Sequence, residues 1–230
     1  MDVQRYARIA GVLFLLSLAA GGFGEAYVPS RIIVTGDAAA TAANIRNFEY
    51  LFRLGFAGFL VESLCDTALV LILYALLKPV SKELSLLAAF FGLIGTALFA
   101  VSESFYFAPL TLGGAAYLKT FSPDQLNALT LLSLRFYSFG AAIFTAYYGL
   151  SWIIRGYLIF QSGYLPKFLG VLMAIGGAGF VVRNFALILA PAYASGALLL
   201  LLFPGALILT GWLIIRGVDV PKWEAKVRTG

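Results

Sequence analysis

The sequence predicts an all-α, polytopic membrane protein, a bundle of six transmembrane helices with both termini on the same side. Of its 230 residues, 61% are hydrophobic and only 12% are charged, and the mean hydropathy is +0.93. Soluble domains average about 45–50% apolar and about 25% charged residues. A soluble fold of this size has no interior large enough for so many apolar side chains, whereas helices that cross a bilayer place them against lipid.

Six apolar stretches form a single predicted transmembrane domain over residues 1–230. The predicted spans cover residues 6–28, 49–78, 83–108, 128–160, 166–189 and 196–217. Pro79 and Pro109 are expected to end the second and third spans, because a residue before proline is disfavoured in a helix. Ser122-Pro123-Asp124-Gln125 has the pattern of a capping box that starts the fourth helix. Phe203-Pro204-Gly205 is expected to kink the last span.

Two loops separate the early spans. In the first, Asp37 is expected to cap a short helix that runs from Ala38 towards Arg46. The second, residues 111–121, is glycine-rich and polar and joins the third span to the fourth.

The distribution of basic residues predicts the orientation of the bundle. If the N-terminus is cytoplasmic, that side holds ten lysines and arginines and the opposite loops hold three. The ten are Arg5, Arg8, Lys78, Lys82, Arg155, Lys167, Arg216, Lys222, Lys226 and Arg228, and the three are Arg31, Arg46 and Lys119. Cytoplasmic loops carry an excess of basic residues. Both termini are therefore predicted to be cytoplasmic.

Composition also excludes several kinds of chemistry. Cys65 is the single cysteine and the chain has no histidine, which removes disulfides, the usual zinc sites and histidine-based catalysis. The net charge of +5 comes from residues scattered at helix ends, so no nucleic-acid partner is predicted. We predict no cofactor and no metal site, the lipid bilayer as the surrounding partner, and a chain compatible with oligomerisation.

Ionisable residues inside the spans are the most informative feature of the sequence. Glu62 and Asp66 lie four residues apart in the second span and therefore share a helix face. Carboxylates at that depth are expensive in hydrocarbon, so they are expected to face protein or a wet cavity.

Four further charged residues lie at a similar depth. Each is 17–20 residues from the predicted inner end of its helix, or roughly 25–30 Å across a hydrocarbon core about 30 Å thick. They are Glu25, Glu103, Arg135 and Arg183. Small residues, which mark contact faces between membrane helices, share their predicted faces. The sequence therefore predicts that charges from five spans meet below the outer membrane surface, at Glu25, Glu62, Asp66, Glu103, Arg135 and Arg183.

Three functional hypotheses follow from these residues. In the first, the chain is a transporter or sensor that binds a small solute or ion in an outward-facing pocket. Arg135 and Arg183 would attract an anionic group, and Glu62 and Asp66 would bind a cation or proton. In the second, the carboxylates serve an intramembrane enzyme as acid and base or as ligands for a hard metal such as magnesium, although no catalytic residue is assigned. In the third, the charges only hold the bundle of a structural or accessory protein together.

Several segments together resemble a known family. They are DAAATAANI at 37–45, LFRLGF at 51–56, LCDTALVLILYALLKPV at 64–80, LLAAFFGLIG at 86–95 and GYLIFQSGYLPKFLG at 156–170. The chain resembles, over about residues 5–217, the bacterial membrane family catalogued as domain of unknown function 4386. The resemblance implies a six-helix or similar protein of the bacterial cytoplasmic membrane and adds no mechanism. Members often carry a histidine near the positions of Phe136 and Tyr137, which this sequence lacks.

Overall fold

The computed structural model describes residues 2–112 and 119–229, and the predicted all-α fold is confirmed over them. Six helices in these residues are long and apolar enough to cross a membrane: Val3–Ile32, Glu49–Leu77, Lys82–Leu112, Pro123–Ser162, Lys167–Leu189 and Ala197–Ile215. The chain is therefore a multi-pass membrane protein. Residues 113–118 of the polar loop predicted at 111–121 lie outside the described residues.

The elements follow one another with short connections. In chain order they are α1 (Val3–Gly21), a π-helical segment (Gly22–Tyr27), α2 (Val28–Ile32), α3 (Ala38–Asn47), α4 (Glu49–Leu77), α5 (Lys82–Leu112), α6 (Pro123–Ser162), α7 (Lys167–Leu189), a 3₁₀ turn (Pro191–Tyr193), α8 (Ala197–Leu200), α9 (Leu202–Ile215) and α10 (Val220–Thr229).

Local signals in the sequence account for two of the helix starts. The Asp37 carboxylate accepts the backbone N–H of Ala40 at 2.8 Å, which confirms the predicted cap of α3. At the start of α6, Ser122 and Gln125 make the two reciprocal hydrogen bonds of a capping box, at 2.8 and 3.3 Å. Both helix starts therefore have side-chain acceptors for backbone donors that the helix itself leaves unsatisfied.

Proline acts differently at the three positions where it was expected to end or kink a span: α4 ends at Leu77, before Pro79, as predicted. The prediction that the third span finishes at Pro109 is wrong, because α5 continues through this buried proline to Leu112. In the last span the helix is interrupted at Leu201, between α8 and α9. Pro204 has no N–H to donate to the carbonyl four residues earlier, which explains why the break lies just before it.

The chain divides into two compact units. One contains Met1–Leu16, Cys65–Ala97 and Ala142–Gly230, and the other contains Ser17–Leu64 and Leu98–Ala141. We call them the first and the second unit.

Glycines bring α6 and α7 into close contact in the first unit. A Cβ atom on Gly149 would lie 2.7 Å from the carbonyl oxygen of Gly177, and one on Gly177 would lie 2.5 Å from that of Gly149. Gly156 and Gly170 make the same reciprocal contact, seven residues later on α6 and seven residues earlier on α7. Small residues at helix interfaces let backbones approach closely in membranes. Gly176 and Gly179, on either side of Gly177, make similarly close contacts with the segment that follows α7.

The C-terminal helix α10 belongs to the first unit and is hydrogen-bonded to the end of α4. The indole N–H of Trp223 donates to the carbonyl oxygen of Leu76 at 3.0 Å, and the Tyr164 hydroxyl donates to the same oxygen at 2.7 Å. Burial raises the pKa of Tyr164. Lys222 lies 2.9 Å from Asp219 and lowers its pKa through a hydrogen bond. The last turn of α4 thus provides one carbonyl that accepts hydrogen bonds from both the connection between α6 and α7 and the C-terminal helix α10.

Candidate functional site

Glycines also define the contact between the first span and α4 in the second unit. A Cβ on Gly24 would lie 2.8 Å from the carbonyl oxygen of Gly55, and one on Gly58 would lie 3.0 Å from that of Ala20. Gly24 belongs to the π-helical segment, a helix irregularity that occurs frequently at functional sites. The two backbones therefore approach closely where the first span departs from α-helical geometry.

The same contact positions Glu62. Both of its carboxylate oxygens lie 2.7 Å from the position that a Cβ on Gly21 would occupy. Any larger residue at position 21 would displace this carboxylate. Gly21 therefore provides the space in which the half-buried Glu62 side chain lies against the first span.

Aromatic rings from α4, α5 and α6 surround Tyr106. Phe52 stacks on the Tyr106 ring at 4.4 Å, and Phe59 and Tyr137 meet it edge-on at 5.1 and 5.2 Å. The Tyr106 side chain is fully buried, and its hydroxyl lies 3.3 Å from the Cβ position of Gly55. Among the described residues, this hydroxyl has no hydrogen-bond partner.

Glu103, one turn before Tyr106 on α5, is the most deeply buried acid of the second unit. Only 4% of the residue is exposed, and neither carboxylate oxygen has a hydrogen-bond partner among the described residues. It interacts electrostatically with Glu25 and Tyr106. A buried carboxyl group without hydrogen bonds is costly as an anion. Glu103 is therefore accommodated most cheaply either with a proton or with a bound cation.

These groups form one cluster around Tyr137. Its hydroxyl interacts electrostatically with Glu25, Glu62, Glu103 and Tyr106. We call these five residues, Glu25, Glu62, Glu103, Tyr106 and Tyr137, the acidic–aromatic cluster. Three carboxylates predicted to lie at a similar depth are thus brought together. The Glu25 side chain is exposed, however, so it lies at the edge of the cluster.

The predicted arginines lie elsewhere. Arg135 is in the second unit, but its side chain is exposed. Arg183 is in the first unit, where its Nη1 donates to the Asn184 Oδ1 at 3.3 Å. Asn184 in turn donates to the Thr145 hydroxyl at 2.6 Å. The acidic–aromatic cluster therefore does not contain Arg135 or Arg183, which were predicted to meet these carboxylates.

Asp66 is buried in the first unit and interacts with a buried arginine. Arg155, which was counted among the cytoplasmic cations, is only 2% exposed. It interacts electrostatically with Asp66 and Tyr148. Its Nη2 atom lies 3.0 Å from the Cβ position of Gly92, so the glycine leaves room for the guanidinium. Asp66 and Arg155 therefore form a second charged feature, confined to the first unit.

The two tyrosines of the acidic–aromatic cluster were not among the predicted site residues, and the π-helical segment was not predicted. A signal for Tyr106 was present, because it follows Glu103 by three residues and shares its helix face. Gly21, Gly22 and Gly24 did not predict the π-helical segment, because close packing of a regular α-helix produces the same glycine pattern.

The described residues contain no group of three or more Asp, Glu, Cys or His side chains arranged to hold a metal ion. The second unit also has a separate cleft of about 330 Å³. Arg46, Pro109, Asn127 and Thr130 are among its lining residues, and none of the described lining residues belongs to the acidic–aromatic cluster. The cleft and the acidic–aromatic cluster are therefore separate features of the second unit.

Fold and site together define a class: helical multi-pass membrane proteins with buried carboxylates among their spans. The chain belongs to the family described as "Domain of unknown function (DUF4386)", whose model matches residues 9–217. This confirms the resemblance seen in the sequence. The chain is 26% identical over 161 residues to an "Uncharacterized protein" of Archaeoglobus fulgidus, covering 70% of this chain and 82% of that one. No solved structure matches the chain.

Proposed function

We propose that this protein binds a small cation, an alkali-metal ion exchanged against a proton, at the buried Glu103 carboxyl group within the acidic–aromatic cluster, as a transporter or a sensor would. The observation that carries the proposal is Glu103. It is almost fully buried, interacts electrostatically with the Glu25 carboxylate, and has no hydrogen-bond partner among the described residues. An ionisable residue inside a membrane span marks an ion pathway or binding site by default.

The chemistry of the cluster favours a cation over an anion. Its polar groups are three carboxyl groups and two phenols, and Arg135 of the same unit is exposed. A structural role as helix-tying hydrogen bonds is less favoured, because such a role would give the Glu103 oxygens partners on other helices.

The proposal extends to the location of the protein. With Arg155 removed from the cytoplasmic group, nine basic residues remain on that side against three on the other, which preserves the positive-inside bias. We therefore place the protein in the bacterial cytoplasmic membrane with both termini cytoplasmic. The cluster then lies towards the outer surface, at the depth from which an external ion is reached.

Thermal unfolding with added cations tests the proposal. The purified protein is titrated with Na⁺, K⁺ or Li⁺ in uncharged detergent, with N-methylglucamine keeping the ionic strength constant. A cation at 100 times its Kd stabilises the native state by about 2.7 kcal/mol, which corresponds to a rise in Tm of about 5–10 °C for a chain of this size. In weakly buffered solution the same cation releases a proton, because it replaces the one on Glu103.

Two pairs of variants make the test specific. Glu103→Gln abolishes both responses, whereas Glu49→Gln, at the exposed start of α4, retains them. Gly21→Ala displaces the Glu62 carboxylate and weakens the response, whereas Gly22→Ala, whose Cβ meets nothing within 4 Å, leaves it unchanged. The proposal would be overturned if the Tm in Na⁺, K⁺ and Li⁺ equalled the Tm in N-methylglucamine alone, or if Glu103→Gln kept the full response.

A further inference from the structure

One face of the first turns of α1 changes from charged to apolar over a short distance. Arg5 and Arg8 are three residues apart, and Ile9 and Val12 each follow one of them by four residues. Residues at these spacings share a helix face. The rise along the helix from Arg5 to Val12 is about 10 Å. All four side chains line one groove of about 470 Å³.

The apolar part of this groove is open. Ile9 is 40% exposed and Val12 is 48% exposed, and Leu13 completes the lining beside them. Both arginines are exposed at the end of the groove that precedes the apolar run of the first span. In a bilayer, arginines in this position lie at headgroup level while the following apolar residues lie among acyl chains.

The other polar residues of the groove are engaged with backbone groups. Asp2 brings a negative charge to the groove, but its Oδ1 accepts the backbone N–H of Arg5 at 3.1 Å and caps the helix. The Gln4 side chain donates to the carbonyl oxygen of Arg216 at 2.8 Å and accepts the N–H of Val218 at 3.0 Å. The first turn of α1 is thereby tied to the segment after α9, which fixes the position of the arginines and reduces the entropy lost on binding.

We propose that this groove binds one anionic phospholipid, with the headgroup phosphate on Arg5 and Arg8 and an acyl chain along Ile9 and Val12. Charge complementarity selects the headgroup, because guanidinium groups match phosphate oxygens in charge and geometry. The apolar lining of Ile9, Val12 and Leu13 favours a lipid over a free anion, because a soluble phosphate has no acyl chain to contact it. Basic pockets at the cytoplasmic end of transmembrane helices are suited to such headgroups. This site is independent of the proposed cation site.

Native mass spectrometry of the detergent-solubilised protein tests the site. With dioleoyl phosphatidylglycerol we expect wild type to retain one lipid more than with dioleoyl phosphatidylcholine. The double variant Arg5→Gln/Arg8→Gln loses that additional lipid, with at least a tenfold lower bound fraction at the same lipid concentration. The matched control Arg31→Gln/Arg46→Gln removes two exposed arginines from the other unit and keeps it.

Two further measurements keep the outcome decisive. Arg5→Lys/Arg8→Lys preserves the charge and retains part of the binding, which separates loss of charge from loss of fold. Inorganic phosphate at millimolar concentration leaves the bound lipid in place. Equal retention of both lipids by wild type, an unchanged glutamine variant, an equal loss in the control, or full displacement by phosphate would each overturn the lipid site.

Discussion

Replacing Gly177 with alanine should destabilise the protein, because this glycine sets the separation of α6 and α7. The added Cβ would lie 2.5 Å from the carbonyl oxygen of Gly149, 2.9 Å from the Trp152 Cβ and 3.0 Å from the backbone nitrogen of Ile153. Backbone atoms on a facing helix cannot rotate away, so the two helices must separate. Overpacking of this kind costs about 1–3 kcal/mol, and the better helix propensity of alanine returns up to about 1 kcal/mol.

The net expectation is a loss of about 1–2 kcal/mol, or a fall in Tm of about 2–8 °C for a chain of this size. Gly211→Ala is the matched control, because Gly211 also lies inside a membrane-spanning helix and a Cβ there meets nothing within 4 Å. The control should unfold at the same temperature as wild type or slightly higher. The two variants differ only in whether the added methyl group meets the facing backbone.

Cys65 provides the assay. It is the single cysteine and is buried, so a thiol-reactive fluorogenic dye reports the temperature at which it becomes accessible in detergent. The expected order of Tm is Gly177→Ala below wild type, and wild type at or below Gly211→Ala. Equal Tm values for the two variants would refute the argument that the close approach of α6 and α7 is fixed by backbone contact.

Two further predictions use the same unfolding assay. Arg155→Met removes the buried cation that interacts with Asp66 and should destabilise the native state by about 3–5 kcal/mol. Adding Asp66→Asn should recover much of that loss. No recovery in the double variant would mean that the two residues do not interact. Tyr164→Phe and Trp223→Phe each remove one of two donors to the Leu76 carbonyl. Each single variant should lower the free energy of unfolding by about 0.5–1.5 kcal/mol. The double variant should lower it by more than the sum of the two, because only then is the Leu76 carbonyl left without either donor. Strict additivity of the two losses would contradict this.

The sequence was sufficient for the fold because the signals for it are local or periodic. Long apolar stretches give the six spans, and short hydrogen-bonding patterns give the helix starts at Asp37 and Ser122. Neither kind of signal depends on which helices are neighbours. Pro109 shows the limit, because a single breaker residue did not decide a helix end once the flanking segment was packed.

The burial of Arg155 was not predicted, because position along a helix does not determine exposure. The predicted fourth span ended at residue 160, which put Arg155 close enough to the edge for its side chain to reach water. The helix instead continues to Ser162, and Gly92 on α5 leaves a space for the guanidinium inside the first unit. The relevant signal was a glycine on a different helix, and its connection to Arg155 exists only after the helices are paired.

Helix phase explains why the carboxylates meet while Arg135 lies apart from them. Arg135 and Tyr137 are two residues apart, which turns them about 200° away from each other around the helix. One face of α6 therefore cannot present both to the same neighbour. Gly140 follows Tyr137 by one turn, and a Cβ there would collide with Ser102, the residue next to Glu103. The close approach at Gly140 turns the Tyr137 face of α6 towards α5 and leaves Arg135 exposed. The absence of Arg135 from the acidic–aromatic cluster therefore depends on Gly140, which is itself uncharged.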